Sequence, residues 1–180
     1  YDFETNDPNI VVAMGDSITA LEGGNSTTYP ALLATMIGKT VINQGSGGAT
    51  TADGASKVAS VLSGYKPGYI LILYGANDVI QSSGTDHATA NLRTIIAAAK
   101  NNKTVPIIAT LTPMYFEHAI FAGTVSALNV KIKQMAGEEG VSVVDLESAF
   151  GSNTSYFNDD GLHPNDAGLQ VIAASFAGAF

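Results

Sequence analysis

Not one cysteine occurs among the 180 residues, which removes disulfides, thiol nucleophiles and cysteine-based zinc sites from consideration. Basic residues are scarce: eight against sixteen acids, for a net charge of −8, with Arg93 the only arginine. No Lys/Arg cluster exists, so nucleic acid and anionic membrane surfaces are excluded as expected partners, and phosphate-rich cofactors are disfavoured. No apolar run approaches the ~20 residues that a membrane span requires. Repeats, low-complexity tracts and linkers are missing too, so residues 1–180 are expected to form a single domain and a monomer.

What remains is ample for a core. Hydrophobic residues make up 46% of the chain, so no metal or disulfide staple is needed, and area scaling lets a chain of this size bury roughly 70% of its unfolded surface. The charged fraction is only 13%, the first residue is Tyr1, and Asn25, Asn102 and Asn153 each open an Asn-x-Ser/Thr triplet. These features point to a secreted, extracellular protein, with the cytoplasm as the alternative.

Short apolar runs alternate with helical patterns. Ile10–Met14, Val41–Asn43, Tyr69–Tyr74, Pro106–Thr110 and Val141–Val144 read as strands, and their continuous apolar character suits a parallel sheet covered on both faces. Between them, helical stripes run through Tyr29, Leu32, Leu33, Met36 and Ile37, through Ala88, Leu92, Ile95, Ile96 and Ala99, through Phe121, Val125, Leu128, Ile132 and Met135, and through Leu169, Ile172, Phe176 and Phe180. Gly38 stands where the first helix should stop. Thr51–Leu62 reads as a weaker helix because of Gly54. This alternation predicts a three-layer α/β/α domain. In such folds the working residues lie in loops beyond the carboxyl ends of the strands.

Those loops carry the chemistry-bearing residues. Gly15-Asp16-Ser17 follows the first strand, where a serine would point into the crevice, although the same triplet makes an ordinary turn. After the second strand, Gly45, Gly47 and Gly48 could offer unobstructed backbone N–H groups to an anion. The dinucleotide reading of that stretch fails, because Thr50 stands where a third glycine is needed. Gly38-Lys39-Thr40 is no phosphate loop either, since Lys39 precedes a strand rather than opening a helix. Asn77, in Gly75-Ala76-Asn77-Asp78 after the third strand, could donate its amide to a substrate oxygen. Near the end, Asp160 and His163 are three apart in a tight turn, with Pro164 placed to start the last helix. Such a pair can orient an imidazole toward a nucleophile. His87 and His118 have no ligand spacing to His163, so no metal site is expected.

Together these residues resemble the SGNH hydrolase superfamily, also called GDSL esterases/lipases. Gly15-Asp16-Ser17-Ile18-Thr19 matches its first block, Gly48 its second, Gly75-Ala76-Asn77-Asp78 its third and Asp160-Gly161-Leu162-His163 its last, in the family's order. The resemblance implies a flavodoxin-like sandwich around a five-stranded parallel sheet. It also implies a Ser17 nucleophile, a His163 base and an Asp160 orienter, with Asp159 as the competing acid. The oxyanion donors would be the Ser17 and Gly48 N–H groups and the Asn77 amide, Gly45 and Gly47 competing with Gly48. No Gly-x-Ser-x-Gly elbow is present, so the ordinary α/β-hydrolase is the wrong comparison.

The implied reaction is hydrolysis of short-chain carboxylic esters through an acyl-enzyme, without a cofactor. Short predicted loops suggest an open pocket, with Asp16, Tyr29, Tyr115, Phe116 and Phe157 as expected substrate contacts. An acidic chain fits small neutral esters or acetylated carbohydrates better than the anionic substrates of lysophospholipases or thioesterases. A catalytically inactive module that binds acylated sugars in the same crevice is the non-enzymatic alternative.

Overall fold

The computed structural model describes residues 1–180. Five parallel strands, β1 (Asp7–Gly15), β2 (Thr40–Gly45), β3 (Pro67–Leu73), β4 (Val105–Ala109) and β5 (Ser142–Val144), form one sheet in the order β2-β1-β3-β4-β5. That is the order of a flavodoxin-like doubly wound sheet. Val11–Met14 of β1 and Ile70–Ile72 of β3 are wholly buried because they are central and covered on both faces. The edge strands differ from expectation: Asn43 in β2 and Ser142 and Val143 in β5 are exposed, since an edge lacks a neighbour on one side.

Helices α1 (Tyr29–Ile37) and α7 (Asp166–Ala177) pack together in one layer, while α2 (Thr51–Tyr65), α4 (Thr85–Asn101) and α5 (Ala122–Glu139) form the other. Two short helices, α3 (Ala76–Ile80) and α6 (Leu146–Phe150), are too brief to show a sequence period. Gly38 ends α1 in the left-handed conformation, φ 65°. Met36 and Phe180 leave the expected apolar stripes, at 39% and 41% exposure. For Phe180 the reason is position, three residues beyond the end of α7.

Gly54 does not weaken α2 as its propensity suggests. A Cβ there would lie 2.8 Å from the Tyr74 ring and 3.0 Å from Ile95, so glycine is what lets α2 sit down against the sheet and α4. Thr50 caps the same helix: its hydroxyl accepts from the Asp53 N–H, and Asp53 accepts back from the Thr50 N–H. No helix is long and apolar enough to cross a membrane.

Candidate active site

The sheet order sets the location. Going outward from β1, the chain reaches β2 on one side and β3 on the other, so the loops after β1 and β3 part and leave a crevice at their carboxyl ends. Ser17 follows β1, and Asn77 sits in α3 directly after β3.

The Ser17 loop is fixed by very close packing. A Cβ on Gly15 would fall 2.0 Å from the Thr19 hydroxyl oxygen and 2.7 Å from the Leu73 carbonyl, so only glycine fits. The Asp16 main-chain carbonyl accepts from Thr19 and Ala20, and its carboxylate Oδ1 accepts from the Ile18 N–H at 2.9 Å. These bonds curl the chain and leave Ser17 half-buried at the rim, its own N–H without an acceptor in the chain. Asp16 lies beneath it at 2% exposure. Burial pushes the Asp16 carboxyl up to about 7, opposed by the Ile18 N–H bond and the nearby His163. Asp16 therefore underpins the loop and is not the substrate contact expected of it.

Residues 157–164 form a small hairpin. Phe157 pairs with Pro164, the Asn158 N–H donates to the His163 carbonyl and the Gly161 N–H to the Asn158 carbonyl, each at 2.9 Å. The start of α7 consequently moves from the expected Pro164 to Asp166, with Asn165 as its cap. His163 stands on the returning arm, not at a helix entrance. Asn158 donates to the Gly23 carbonyl and Asn25 to the Pro164 carbonyl, which tie the hairpin to the loop after β1.

The result is a hydrogen-bonded array. His163 Nε2 lies 2.9 Å from Ser17 Oγ, and His163 Nδ1 lies 2.5 Å from Asp160 Oδ2. Asp160 Oδ1 accepts from the backbone N–H groups of Leu162 and His163, at 2.9 and 3.0 Å. Partial burial alone would raise the Asp160 carboxyl, but these bonds and the imidazole hold it below its ordinary value. Asp159 is exposed and bonds to nothing in the chain, so the i to i+3 partner is Asp160. A carboxylate that receives Nδ1–H leaves Nε2 free to accept the serine proton.

The other candidate donors lie after β2 and β3. The Gly45 N–H is taken by Asn43 Oδ1 at 2.8 Å, whereas the Gly47 and Gly48 N–H groups have no acceptor in the chain. Gly48 adopts φ 74° and is exposed. Asn77 Nδ2 donates to the Ala49 carbonyl at 2.9 Å and keeps its second hydrogen free. Next to it, Asp78 is buried and accepts from both the Thr51 N–H (2.9 Å) and hydroxyl (2.5 Å). These bonds lock the β2–α2 and β3–α3 loops together.

The expected aromatic contacts are mostly packing. Tyr29 is fully buried, stacked on Phe176, with its hydroxyl 3.1 Å from that of Thr19. Phe157 is 6% exposed and packs against Phe150 and Tyr115. Tyr115 donates its hydroxyl to the Gly151 carbonyl. A half-buried or buried ring satisfies the same apolar pattern as a pocket wall, so sequence cannot separate them. Phe116 alone of the set is exposed, at 54%. A hollow of about 280 Å³ opens beside Gly48, lined by Ser46, Asp53, Lys57 and Tyr74 among others. Nothing in the sequence pattern marks this hollow, and the only sequence signal of Thr51 is its place just after the helix cap.

The model of the GDSL-like lipase/acylhydrolase family matches residues 13–171. No curated protein matches the chain. Among solved structures, a protein of the G-D-S-L family from Desulfitobacterium hafniense DCB-2 superposes with a TM-score of 0.85 at 22% identity, covering 96% of this chain and 99% of its own. Axe2, an acetylxylan esterase from Geobacillus stearothermophilus, gives 0.82 at 22% identity, covering 95% and 93%. A GDSL-like lipase from Bacteroides thetaiotaomicron VPI-5482 gives 0.80 at 22% identity, covering 95% and 87%. At these identities the likeness is one of fold.

Proposed function

The chain belongs to the GDSL-like lipase/acylhydrolase family of hydrolases, and from that premise we propose that it is a serine esterase acting on short-chain carboxylic esters. The observation that carries this reading is the array Ser17 Oγ, His163 and Asp160, with separations of 2.9 and 2.5 Å. His163 Nε2 takes the Ser17 proton as Oγ attacks the ester carbonyl, and Asp160 stabilises the imidazolium that forms. The tetrahedral oxyanion is met by the Ser17 and Gly48 N–H groups and the free hydrogen of Asn77. His163 then returns the proton to the departing alcohol, and a water activated by the same imidazole hydrolyses the acyl-enzyme. The intact array and unpaired donors favour an enzyme over an acyl-sugar binding module.

A second reading, esters of acetylated carbohydrates, is favoured by the hollow beside Gly48. Ser46, Asp53 and Lys57 offer hydrogen-bonding groups that suit a hydroxyl-rich alcohol better than an alkyl one. Turnover of p-nitrophenyl acetate tests the esterase; its absence at high enzyme concentration would reject it. Comparing acetate, butyrate and octanoate esters with acetylated xylan then decides between the two alcohols.

A further inference from the structure

We propose that His118 is a positioning residue for the Asp160–His163 pair, a role that rests on the esterase reading above. His118 Nδ1 lies 2.7 Å from the main-chain oxygen of Asp160. A carbonyl only accepts, so this nitrogen carries the hydrogen and donates. The carbonyl belongs to the residue whose carboxylate aligns the imidazole. Fixing its peptide plane fixes the direction in which the Asp160 side chain leaves the backbone.

The contact is one of a set. The next carbonyl, that of Gly161, accepts from the Tyr115 N–H at 2.9 Å, and the His118 N–H closes back on the Tyr115 carbonyl at 2.9 Å. Gly161 itself is left-handed, φ 67°, and a Cβ there would fall 2.0 Å from the Tyr115 carbonyl oxygen. The Asp160–Gly161 turn thus rests directly on the segment Tyr115–His118, some 42 residues earlier in the chain. Within that segment Phe116 has φ 50°, a conformation an aromatic side chain rarely takes. Such a backbone persists only where surrounding contacts over-determine it. Here those contacts are the two bonds to the turn.

Asp160 needs this support because its carboxylate is otherwise held only by its own turn. Oδ1 bonds Leu162 and His163, and Oδ2 bonds His163, all within three residues. Asn158 and Asn25 tie the arms of the hairpin to the loop after β1, but the Asp160 carbonyl at its tip is held only by His118. His118 and Tyr115 connect it to β4's loop and so to the sheet that also carries Ser17.

The test compares variants of the chain on p-nitrophenyl acetate. His118→Leu removes the donor at similar size; His118→Asn retains one, because its Nδ2 occupies the place of Nδ1 along the same Cβ–Cγ path. His118→Leu should lower kcat about 10- to 100-fold with KM little changed, the scale of a small misplacement of reacting groups. Loosening the carboxylate from the imidazole disfavours the imidazolium, so the acid limb of kcat/KM should move to lower pH. His118→Asn should restore both kcat and the limb. Where His118→Leu does not fold, His118→Phe carries the same expectations. Wild-type kcat and an unmoved limb in the donor-less variant, with Ser17→Ala inactive, would overturn the role of His118 alone. Equal losses in the Leu and Asn variants that follow their melting temperatures would do the same. Full turnover in Ser17→Ala would overturn the site assignment and this role together.

Discussion

The side-chain amide of Asn77 donates to the main-chain carbonyl of Ala49 at 2.9 Å, across two loops from different strands. The bond uses one amide hydrogen and leaves the other unpaired, on a side chain tied to the residue that follows Gly48, whose N–H also has no acceptor in the chain. The proposed function gives this one group two roles. As a loop tie it contributes about 0.5–1.5 kcal/mol to stability. As an oxyanion donor it would lower the barrier by about 2.7–4 kcal/mol. Asn77→Ala should accordingly reduce kcat by roughly 10²–10³ while shifting the melting temperature only slightly. A variant with near-normal turnover on p-nitrophenyl acetate would remove Asn77 from the chemistry.

Ser17→Ala should abolish covalent labelling by an organophosphonate, since the mutant lacks the hydroxyl that bonds His163 Nε2. Intact-mass spectrometry reads the adduct directly. A phosphonylated residue elsewhere in the mutant would reject Ser17 as the nucleophile.

Asp160→Asn preserves the size of the group and both backbone bonds to Oδ1, so the turn should survive. Its Nδ2 would face His163 Nδ1 and force that nitrogen to accept, which puts the hydrogen on Nε2, against Ser17. The loss expected from this wrong tautomer is about 10⁴ in kcat. The downward displacement of the Asp160 carboxyl also fixes a sign for stability. Its contribution is complete above the unfolded value of about 4 and disappears as pH falls through the lower folded value. Chemical denaturation of wild type and Asp160→Asn from pH 3 to 6 should show the gap closing at the acid end.

Asp16 acts in the opposite sense. Its carboxyl is raised from 3.8 to about 7, so between these values the folded chain binds the extra proton and stability falls as pH rises. Asn at this position still accepts from the Ile18 N–H and has no charge to bury. Asp16→Asn should therefore match wild type near pH 4 and exceed it above pH 7, by on the order of a few kcal/mol at 1.36 kcal/mol per pKa unit. Equal urea midpoints for the two proteins at pH 8.5 would contradict the buried, charge-averse site.

Gly54→Ala separates propensity from packing. In an exposed helix the change gains up to about 1 kcal/mol. Here the added methyl meets the Tyr74 ring at 2.8 Å, so a loss of about 1–3 kcal/mol is expected instead. A rise in melting temperature would show that α2 shifts freely on the sheet.

The strands, the five longer helices and the four motif blocks are legible in the sequence because each is a local signal. Apolar runs, helical spacing and glycine at a strand end need only neighbours in the chain. Sequence by itself also put Ser17, Gly48, Asp160 and His163 in loops after the strands, and Asn77 just past β3, where the structure has the short helix α3. Tertiary structure decided the rest. Which strands meet their neighbours on both sides depends on the order β2-β1-β3-β4-β5, and so does the crevice between the loops of β1 and β3. Whether an aromatic ring such as Tyr29 faces the core depends on residues far away in the chain, here Phe176 stacked on it. The Asp160 turn resting on Tyr115–His118 is of the same kind, for a hydrogen bond spanning 42 residues has no local period to betray it.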